Sequence, residues 1–555
     1  MTSFNYTILS PAMDPKNGID LESVGLHKAT KDLGLMIGFD YPDIGYDYYC
    51  TWHADALYLW FLEKGYKGKI VDMSALAGFL GYPIDYTLFI REVGAEHHPD
   101  QGAGLMLEQI SEEQLEREIV LMKSTLDSNF KGVRINEKLY KHLCNLHRSW
   151  EQKELQRFID ITGSSSPSTD AFKGWVKEAL GITLPNVKVK TLKALGESYQ
   201  GEDEIKAVLL SAPDITDGAM NRFDLLKTRV TNDYRIHDFV KYNATTTGRF
   251  AGRRFNVQSL PKAFLSEEEI YQSELSKVQT IKHSFRTLLV PNHGCRFISA
   301  DYSGIEVRLA VWLCGSADHL KVMADGKDPY LYEASKILEL PEEDVSPDQR
   351  LMGKVARLGG QYYLGWHGLK AYANQWGLKM SDQEAKRFTD GFYKANKELF
   401  KFYDKCYDAC ITTIQDGGLF VVGGIKILYR DHCLIIEKPS GTRLHYRKPV
   451  IHLHKGHRLM RYTNIHGQGK LFQKSHLANN IMQSMCADLL KDKIYDLTNA
   501  GFRVAFTVHD EFLIEVDEAD ESALERVNVI LQEVPAWAEG LPLGIEGEYA
   551  DTFQK

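Results

Sequence analysis

The sequence predicts an α+β fold divided into several subdomains. At 555 residues the chain exceeds the length at which a single hydrophobic core keeps growing. Apolar residues recur at helical spacing through residues 111–150 and 303–417. Runs with strand character, bounded by turn residues, concentrate after residue 417. This segregation of helices and strands along the chain predicts an α+β architecture.

The composition indicates a soluble globular protein. Hydrophobic residues make up 44% of the chain and charged residues 25%. No apolar run reaches the length of a membrane-spanning helix, so no membrane association is expected, and the first residues lack the pattern of a signal peptide. The eight cysteines show no CxxC spacing, which predicts free thiols in a reducing cytoplasm.

The remaining elements are justified in chain order by periodicity and by turn residues. Residues 1–110 are mixed, because Pro, Gly and aromatic residues interrupt any long period. Beyond them the sequence predicts helices at 111–150, 191–230 and 267–285, a strand at 296–300, helices over 303–417, strands within 418–430, 433–447 and 449–463, a helix at 476–498, and a hairpin at 509–511.

The segment 222–262 is basic although the whole chain has a net charge of −9. It carries nine Lys and Arg residues against three Asp residues. Such a segment can neutralise backbone phosphates and release counterions, which favours a nucleic-acid interface. The alternative is a solvated loop without a ligand.

Two acidic segments lie about two hundred residues apart. FISADYSGIEVRLA contains Asp301 and VAFTVHDEFLIEV contains Asp510, and each carboxylate follows an apolar run of strand character. Two carboxylates on strand ends can hold two divalent cations, as in-line phosphoryl transfer requires. Taken alone, Asp301 reads as a helix cap and Asp510 as part of an exposed acidic turn.

Between these segments, RLMGKVARLGGQYYLG predicts a helix with cations on one face. Arg350, Lys354, Leu358 and Tyr362 recur every four residues and so lie along one stripe. Arg350 and Lys354 are suited to bind the phosphates of an incoming nucleotide. The two glycines at 359 and 360 weaken the helix, which indicates that another group approaches closely there. The alternative is an amphipathic surface helix.

Five motifs in one order resemble the family A DNA polymerases, most closely their phage-type branch. DYSGIEVR resembles motif A of that family, RLMGKVARLGGQYY motif B and TVHDEF motif C. ATTTGRFAGRRFNVQSLPK resembles the template-primer segment, and ANNIMQSMCADLL resembles the helix that contacts the duplex minor groove. The resemblance runs from about Leu115 to the C-terminus.

The resemblance implies roles for the matching residues. Asp301 and Asp510, with the carbonyl of Tyr302, would bind two Mg²⁺ ions, and Glu511 and His509 would support the metals and the primer end. Lys354 would also act as a general acid toward pyrophosphate, and Glu306 would exclude a ribose 2′-OH. The implied nucleotide-binding residues are Arg350, Lys354, Leu358, Tyr362, Glu306 and Tyr330. The implied DNA-binding residues are Thr247, Gly248, Arg249, Arg253, Arg254, Gln258, Asn480, Gln483 and His509.

The resemblance also implies a right-hand polymerase with palm, fingers and thumb and a small N-terminal appendage. The expected division is an appendage at 1–110, thumb and template-primer segment at 111–290, palm at 291–325, fingers at 326–435 and palm again at 436–555. The expected enzyme is a monomer that binds primer-template DNA and dNTPs in the cytoplasm, of a bacterial host if phage-encoded. A single-subunit RNA polymerase and a non-catalytic DNA-binding protein on the same fold are the alternatives.

The N-terminal region departs most from the family. Relatives usually carry a proofreading exonuclease there, built on a DxE string and a late YxxxD string. This chain has Asp20 and Glu22, but His53 stands where the second metal-binding Asp would be and Asp55 is out of register. We therefore predict a reduced exonuclease remnant without proofreading, and a separate exonuclease or processivity factor is a possible partner.

Two residues of motif B also depart from the family. Leu358 stands where many members carry an aromatic residue, and Tyr363 replaces a usual Gly. These departures leave dideoxynucleotide selectivity and fidelity open.

Overall fold

The computed structural model describes residues 6–8, 48–51, 69–80, 110–454, 457–545 and 547–553. Asp20, Glu22, His53 and Asp55, on which the exonuclease expectation rests, lie outside these residues.

The described helices and strands follow the predicted segregation. The α-helices are α1 (Met73–Phe79), α2 (Glu112–Lys131), α3 (Glu137–Trp150), α4 (Gln156–Thr162), α5 (Asp170–Leu180), α6 (Val189–Ser198), α7 (Asp203–Ile215), α8 (Ala219–Lys227), α9 (Glu267–Tyr271), α10 (Lys277–Ser284), α11 (Ile305–Cys314), α12 (Ala317–Ala324), α13 (Pro329–Leu338), α14 (Pro347–Gly360), α15 (Trp366–Gln375), α16 (Asp382–Ala395), α17 (Lys397–Asp416), α18 (Lys474–Asn499) and α19 (Ala523–Gln532). The strands are β1 (Tyr6–Ile8), β2 (Tyr48–Thr51), β3 (Lys69–Asp72), β4 (Val133–Ile135), β5 (Arg235–Ile236), β6 (Val240–Lys241), β7 (Ala251–Gly252), β8 (Leu289–Val290), β9 (Cys295–Asp301), β10 (Leu419–Val422), β11 (Ile425–Arg430), β12 (Cys433–Glu437), β13 (Arg443–His454), β14 (His457–Thr463), β15 (Gly469–Phe472), β16 (Arg503–Val508), β17 (Glu511–Asp517) and β18 (Gly547–Ala550).

The prediction of one continuous helix at 267–285 is wrong. The segment 267–285 forms two helices, α9 and α10, rather than one. The Ser276 side chain accepts a hydrogen bond from the backbone N–H of Gln279 and so caps the start of α10. A side chain that satisfies a free N–H of the first turn favours a new helix start over continuation.

A four-stranded sheet positions the acidic segments. Its strand order is β16-β17-β9-β18, so the strand that ends at Asp301 lies between β17 and β18. Phe297, Ile298, Ser299 and Ala300 are all buried, because helices and neighbouring segments cover both faces. The antiparallel register pairs Asp301 with Glu511.

The N-terminal residues 69–80 belong to the largest hydrophobic core. Ala75, Leu76, Ala77 and Leu80 are buried there together with residues of α2, α11 and α18. The side-chain amide of Asn243 donates to the carbonyl of Ala75 (3.1 Å), and Arg447 donates to the carbonyl of Leu80 (3.1 Å). This part of the predicted appendage is therefore integrated into the body of the molecule.

Helices α4 to α7 enclose a small core of their own. Phe158, Phe172, Val176, Leu192 and Leu209 are among its buried members. Because these side chains pack mainly on one another, the unit forms a separate helical projection after α3, where the sequence predicts the thumb.

Helices α13 and α14 pack at very short distance. A Cβ atom on Gly353 would lie 2.5 Å from the carbonyl oxygen of Tyr330 and 2.9 Å from the Cβ of Ala334. Any larger residue at 353 would push the two helices apart. Similarly, a Cβ on Gly360 would lie 2.6 Å from the Phe392 ring, so the glycines of α14 serve close packing as the sequence predicts.

A six-stranded antiparallel sheet, in the order β10-β11-β12-β13-β14-β15, lies between α17 and α18 in the sequence. Its inner face buries Ile425, Leu434, Tyr446 and Phe472 against the main core. Among the described residues, no helix is both long and apolar enough to cross a bilayer.

Candidate active site

The two predicted acids lie side by side at one end of the four-stranded sheet. His509 and Asp510 form the two-residue turn between β16 and β17, and His509 adopts a left-handed backbone with φ of 57°. The backbone N–H of Tyr302 donates to the carbonyl of Asp510 (3.3 Å), which ties this turn to the end of β9. The sheet register thus brings together residues 301 and 510 from distant parts of the chain.

The pKa of Asp510 reflects its surroundings at this end of the sheet. Burial raises the pKa of Asp510 to about 6, and the negative charges of Asp301 and Glu306 contribute in the same direction. Carboxylates that repel each other in a partly buried site are stabilised by a bound cation. Their hard oxygen atoms fit Mg²⁺, which prefers a few carboxylates together with phosphates and waters.

Glu511 and Tyr302 have structural partners on the sheet. The Ser299 hydroxyl donates to Glu511 (3.0 Å), and Arg286 Nη1 lies 3.8 Å from the other carboxylate oxygen. The Tyr302 ring is buried and its hydroxyl donates to the carbonyl of Leu531 (2.7 Å). Both side chains therefore hold the sheet end in place, and the metal-binding group that the sequence predicts at Tyr302 is its backbone carbonyl.

Glu306 is held from two sides. Arg249 Nη2 lies 3.0 Å from one carboxylate oxygen, and the Tyr362 hydroxyl donates to the other (2.6 Å). Burial, followed by the charge of Glu306, raises the pKa of Tyr362, so its hydroxyl remains a donor. One cavity of about 270 Å³ is lined by residues of all these segments, among them Arg249, Gln258, Glu306, Leu358, His509 and Asp510.

The predicted phosphate-binding residues of α14 lie outside that cavity lining. Arg350 forms an ion pair with Asp328 (2.5 Å), the residue that caps α13. Lys354 Nζ lies 5.4 Å from the Tyr330 ring centroid and 5.0 Å from that of Trp376. Arg350, Lys354 and Tyr330 thus lie close to one another, and none of the three lines that cavity.

The model of the family described as "DNA polymerase family A" matches residues 175–418. The chain is 27% identical over 470 residues to the DNA polymerase of Bacillus phage SP02, an alignment covering 80% of this chain and 72% of that protein. The chain is therefore similar to the proteins of DNA polymerase family A.

Bacterial enzymes and a solved structure extend this likeness. DNA polymerase I of Borreliella burgdorferi is 23% identical over 378 residues, and thermostable DNA polymerase I of Thermus caldophilus is 25% identical over 376 residues. Each alignment covers 66% of this chain, but only 35% and 38% of the respective bacterial proteins.

The polymerase domain of Pol1 from M. smegmatis, solved with a DNA primer-template and dNTP, superposes with a TM-score of 0.64 at 18% identity. That superposition covers 92% of this chain and 87% of the other. The chain therefore has the right-hand fold of a DNA-directed DNA polymerase.

Residues of the predicted template-primer segment form ion pairs within the protein. Arg253 and Arg254 both form ion pairs with Asp238, Arg253 at 3.1 Å. These arginines, expected to bind DNA phosphates, therefore already share one acidic partner. Thr247 is buried, and a Cβ on Gly248 would lie 3.2 Å from the side-chain oxygen of Asn243, so this loop is tightly packed.

The loop that carries Arg249 is anchored from below. Lys491 of α18 donates to the side-chain oxygen of Asn243 (3.1 Å), and Asn243 in turn donates to Ala75. Arg249 itself reaches Glu306, as described above. This buried chain fixes the loop against α18, a role that the sequence motif alone does not reveal.

On α18, the structure favours a different asparagine from the predicted one. Asn480 donates to the Tyr446 hydroxyl (3.1 Å) on the inner side of the six-stranded sheet. Gln483 instead donates to Asn479 (3.0 Å), one helical turn before it. The residue paired with Gln483 is therefore Asn479, because i and i+4 share a helix face. The spacing of four residues was the available signal in the sequence.

His509 stands on the exposed turn beside the acids. Partial burial, followed by the positive charges of Arg249 and Lys262, lowers the pKa of His509, which favours the neutral form of its ring. A neutral imidazole can accept a hydrogen bond from a bound strand.

A second group of metal-ligand type lies away from this site. Potential ligand atoms of His147, Glu151 and Asp224 lie within 4.8 Å of one another. Lys227 Nζ lies 2.7 Å from Asp224 and 3.4 Å from His147 Nδ1. The ammonium group therefore already offsets part of the negative charge of this cluster.

Proposed function

We propose that the polymerase adds deoxynucleotides to the 3′-OH of a DNA primer by two-metal phosphoryl transfer. The observation that carries this proposal is the juxtaposition of Asp301 and Asp510 at one end of the four-stranded sheet, where burial, followed by the charge of Asp301, raises the pKa of Asp510 to about 6. Two Mg²⁺ ions bound at these carboxylates supply activation of the primer oxygen and neutralisation of the leaving pyrophosphate.

The residues of α14 bind the triphosphate in this proposal. Arg350 exchanges Asp328 for phosphate oxygens, and Lys354 leaves the Tyr330 and Trp376 rings to approach the same phosphates. Lys354 donates a proton to departing pyrophosphate. Since both cations lie outside the cavity lining, the proposal requires α14 to move toward the acids when a nucleotide binds, as fingers closure does.

In this proposal Glu306 selects the sugar of the incoming nucleotide, and Asn479 and Gln483 of α18 contact the DNA duplex. Arg249 and Tyr362 hold the Glu306 side chain, and in this proposal that side chain excludes a ribose 2′-OH. This fixation is our reason for preferring a DNA polymerase to a single-subunit RNA polymerase, and a comparison of dNTP and rNTP incorporation on one primed template distinguishes them. Asn479 and Gln483 contact the primer-end minor groove, where every base pair offers an acceptor.

We also propose that this chain does not excise mismatches, because His53 replaces an expected metal-binding Asp. Purified protein incubated with a mismatched 3′ end tests this, since shortening of that primer contradicts the proposal. If this chain lacks proofreading, a separate exonuclease would supply it. Because the chain is similar to a phage enzyme, we place both activities in the cytoplasm of the host cell.

The decisive experiment replaces Asp510 with Asn. D510N should reduce primer extension by at least about 1000-fold, the loss of several kcal/mol of transition-state stabilisation, while leaving primer-template affinity within about twofold. The matched control is D517N at the other end of β17, which should extend normally. Normal extension by D510N refutes the two-metal assignment, and loss of DNA binding would show a folding defect instead.

A further inference from the structure

Asn243 is a buried residue that the proposed function does not use. It lies six residues before Arg249 in the sequence and is 1% exposed. Its backbone is left-handed, with φ of 50°. Asparagine is one of the few residues besides glycine that enter this conformation readily. The chain therefore has an asparagine where most other side chains would strain the backbone.

The side chain of Asn243 joins two parts of the chain that are remote in sequence. Its amide donates to the backbone carbonyl of Ala75 in α1, and its oxygen accepts from Lys491 of α18, each at 3.1 Å. The Lys491 ammonium also lies 4.8 Å from the ring centroid of Tyr242 and 6.0 Å from that of Phe79, the last residue of α1. Within the described part of the chain Lys491 forms no ion pair, so the asparagine oxygen and the ring faces stabilise its buried charge.

The loop that ends at Arg249 packs directly on this pair. A Cβ on Gly248 would lie 3.2 Å from the Asn243 side-chain oxygen and 3.5 Å from Lys491 Nζ, so the glycine backbone covers the contact between them. The backbone N–H of Gly248 donates to the carbonyl of Thr245 (3.0 Å), and that of Arg249 donates to the Thr245 hydroxyl (2.9 Å). Because the turn is closed by its own hydrogen bonds, a shift of Asn243 also displaces Arg249.

Arg249 connects this loop to the residue that is proposed to select the sugar. Its guanidinium lies 3.0 Å from one carboxylate oxygen of Glu306, and the Tyr362 hydroxyl donates to the other oxygen (2.6 Å). In the proposed function α14 moves when a nucleotide binds, and Tyr362 follows α14 directly in the sequence. Arg249 is then the partner that stays in place beside Glu306.

We propose that Asn243 is a positioning residue for sugar selection. By tying the Arg249 loop to α1 and to Lys491, it keeps the Glu306 carboxylate where that group excludes a ribose 2′-OH. The inference rests on the proposed role of Glu306. It gives residues 69–80 a part in substrate selection, although they lie far from Glu306 in the sequence.

The test compares kcat/KM for a dNTP and for the corresponding rNTP opposite the same template base. N243D keeps an acceptor for Lys491 but places a carboxylate, which cannot donate, against the Ala75 carbonyl. It should lower the preference for dNTP by about three- to tenfold, the loss expected from one buried hydrogen bond. A merely structural role of Asn243 would lower the denaturant midpoint without changing this preference.

K491M is a second variant, which removes the other hydrogen bond of Asn243. Methionine is unbranched and fills buried space readily, so the variant should fold. It should lower the dNTP preference by a similar factor. V527A is the control for stability, because Val527 is fully buried in the same core but does not line the cavity that contains Glu306. V527A should lower the denaturant midpoint and leave the preference unchanged.

An unchanged dNTP preference in either N243D or K491M overturns the inference. A reduced preference in V527A also overturns it, because sugar selection would then follow stability alone. E306A separates these results from a failure of the proposed function. If E306A accepts rNTP while N243D and K491M still exclude it, the inference fails and the proposed role of Glu306 stands. If E306A still excludes rNTP, the proposed role of Glu306 fails and the inference fails with it.

Discussion

At the residue scale, ionised carboxylates close together in a partly buried site destabilise the folded protein. Asp301 and Glu306 both oppose ionisation of Asp510, and burial opposes it further. A raised pKa means that the folded protein prefers the protonated carboxyl. The folded state therefore gains stability from this group below pH 3.8, the ordinary value, and loses it as the pH rises through about 6.

This balance predicts that D510N is more stable than the wild type when a chelator removes divalent cations. The shift from 3.8 to about 6 corresponds to at most about 3 kcal/mol of unfolding free energy at pH 8. The advantage should disappear at pH 4, where the wild-type carboxyl is largely protonated. Denaturant unfolding at both pH values measures it, with D517N as the control. A D510N variant that is less stable at pH 8 contradicts the electrostatic argument.

At the element scale, the close packing of α14 against α13 sets the position of Arg350 and Lys354, the predicted phosphate-binding residues. Gly353 lies between Arg350 and Lys354 in sequence and permits the contact with Tyr330 and Ala334. In the proposed function α14 brings Arg350 and Lys354 to the nucleotide, so its distance from α13 would affect nucleotide binding. The sequence shows the glycine, but only the structure shows which neighbour it accommodates.

We therefore expect G353A to destabilise the polymerase by about 1–3 kcal/mol, the usual range for overpacking. The same substitution should raise the KM for dNTP, because it displaces the turns that carry Arg350 and Lys354. Gly174 in α5 is the matched control, since a Cβ there meets nothing within 4 Å. G174A should stabilise the protein by up to about 1 kcal/mol. Equal stability of the two variants would show that α13 yields to the added methyl group.

At the scale of the whole molecule, residues 69–80 join parts that are remote in sequence. Leu76 is fully buried in the core shared by α2, α11 and α18. The side-chain amide of Asn243 donates a hydrogen bond to the Ala75 carbonyl, and the side-chain oxygen of Asn243 accepts one from Lys491. The N-terminal region thereby supports the loop that carries Arg249.

Truncation of Leu76 tests this integration. L76A should lower the free energy of unfolding by about 2–5 kcal/mol, as for other buried leucines. L210A, which removes a leucine side chain that is 48% exposed on α7, should change it by no more than about 0.5 kcal/mol. Similar effects of the two variants on denaturant midpoints would mean that residues 69–80 are not part of the cooperative core.

The sequence predicts the features that depend on local order. Apolar runs ending at Asp301 and Asp510 indicate strand ends, and the structure has β9 and a hairpin turn there. The cationic stripe of α14 follows from a spacing of four residues. The α+β character and the right-hand fold are confirmed, whereas the functional assignments of individual residues stay predictions.

The rest depends on contacts that no local pattern encodes. The choice of Asn479 over Asn480 requires knowing which helix face meets Tyr446. The engagement of Arg253 and Arg254 by Asp238 requires the turn that brings the arginines back to that residue. The burial of Leu76 requires partners on α2, α11 and α18, which lie at very different distances along the chain.

The order of strands in the four-stranded sheet has a consequence for synthesis on the ribosome. β9 is flanked by β17 and β18, both of which emerge at least two hundred residues later. At the usual rate of about 5–20 residues per second, the first acid is made about 10–40 s before its companion. During that interval the nascent strand has neither neighbour, and Asp301 and Asp510 can come together only after β17 has left the ribosomal tunnel.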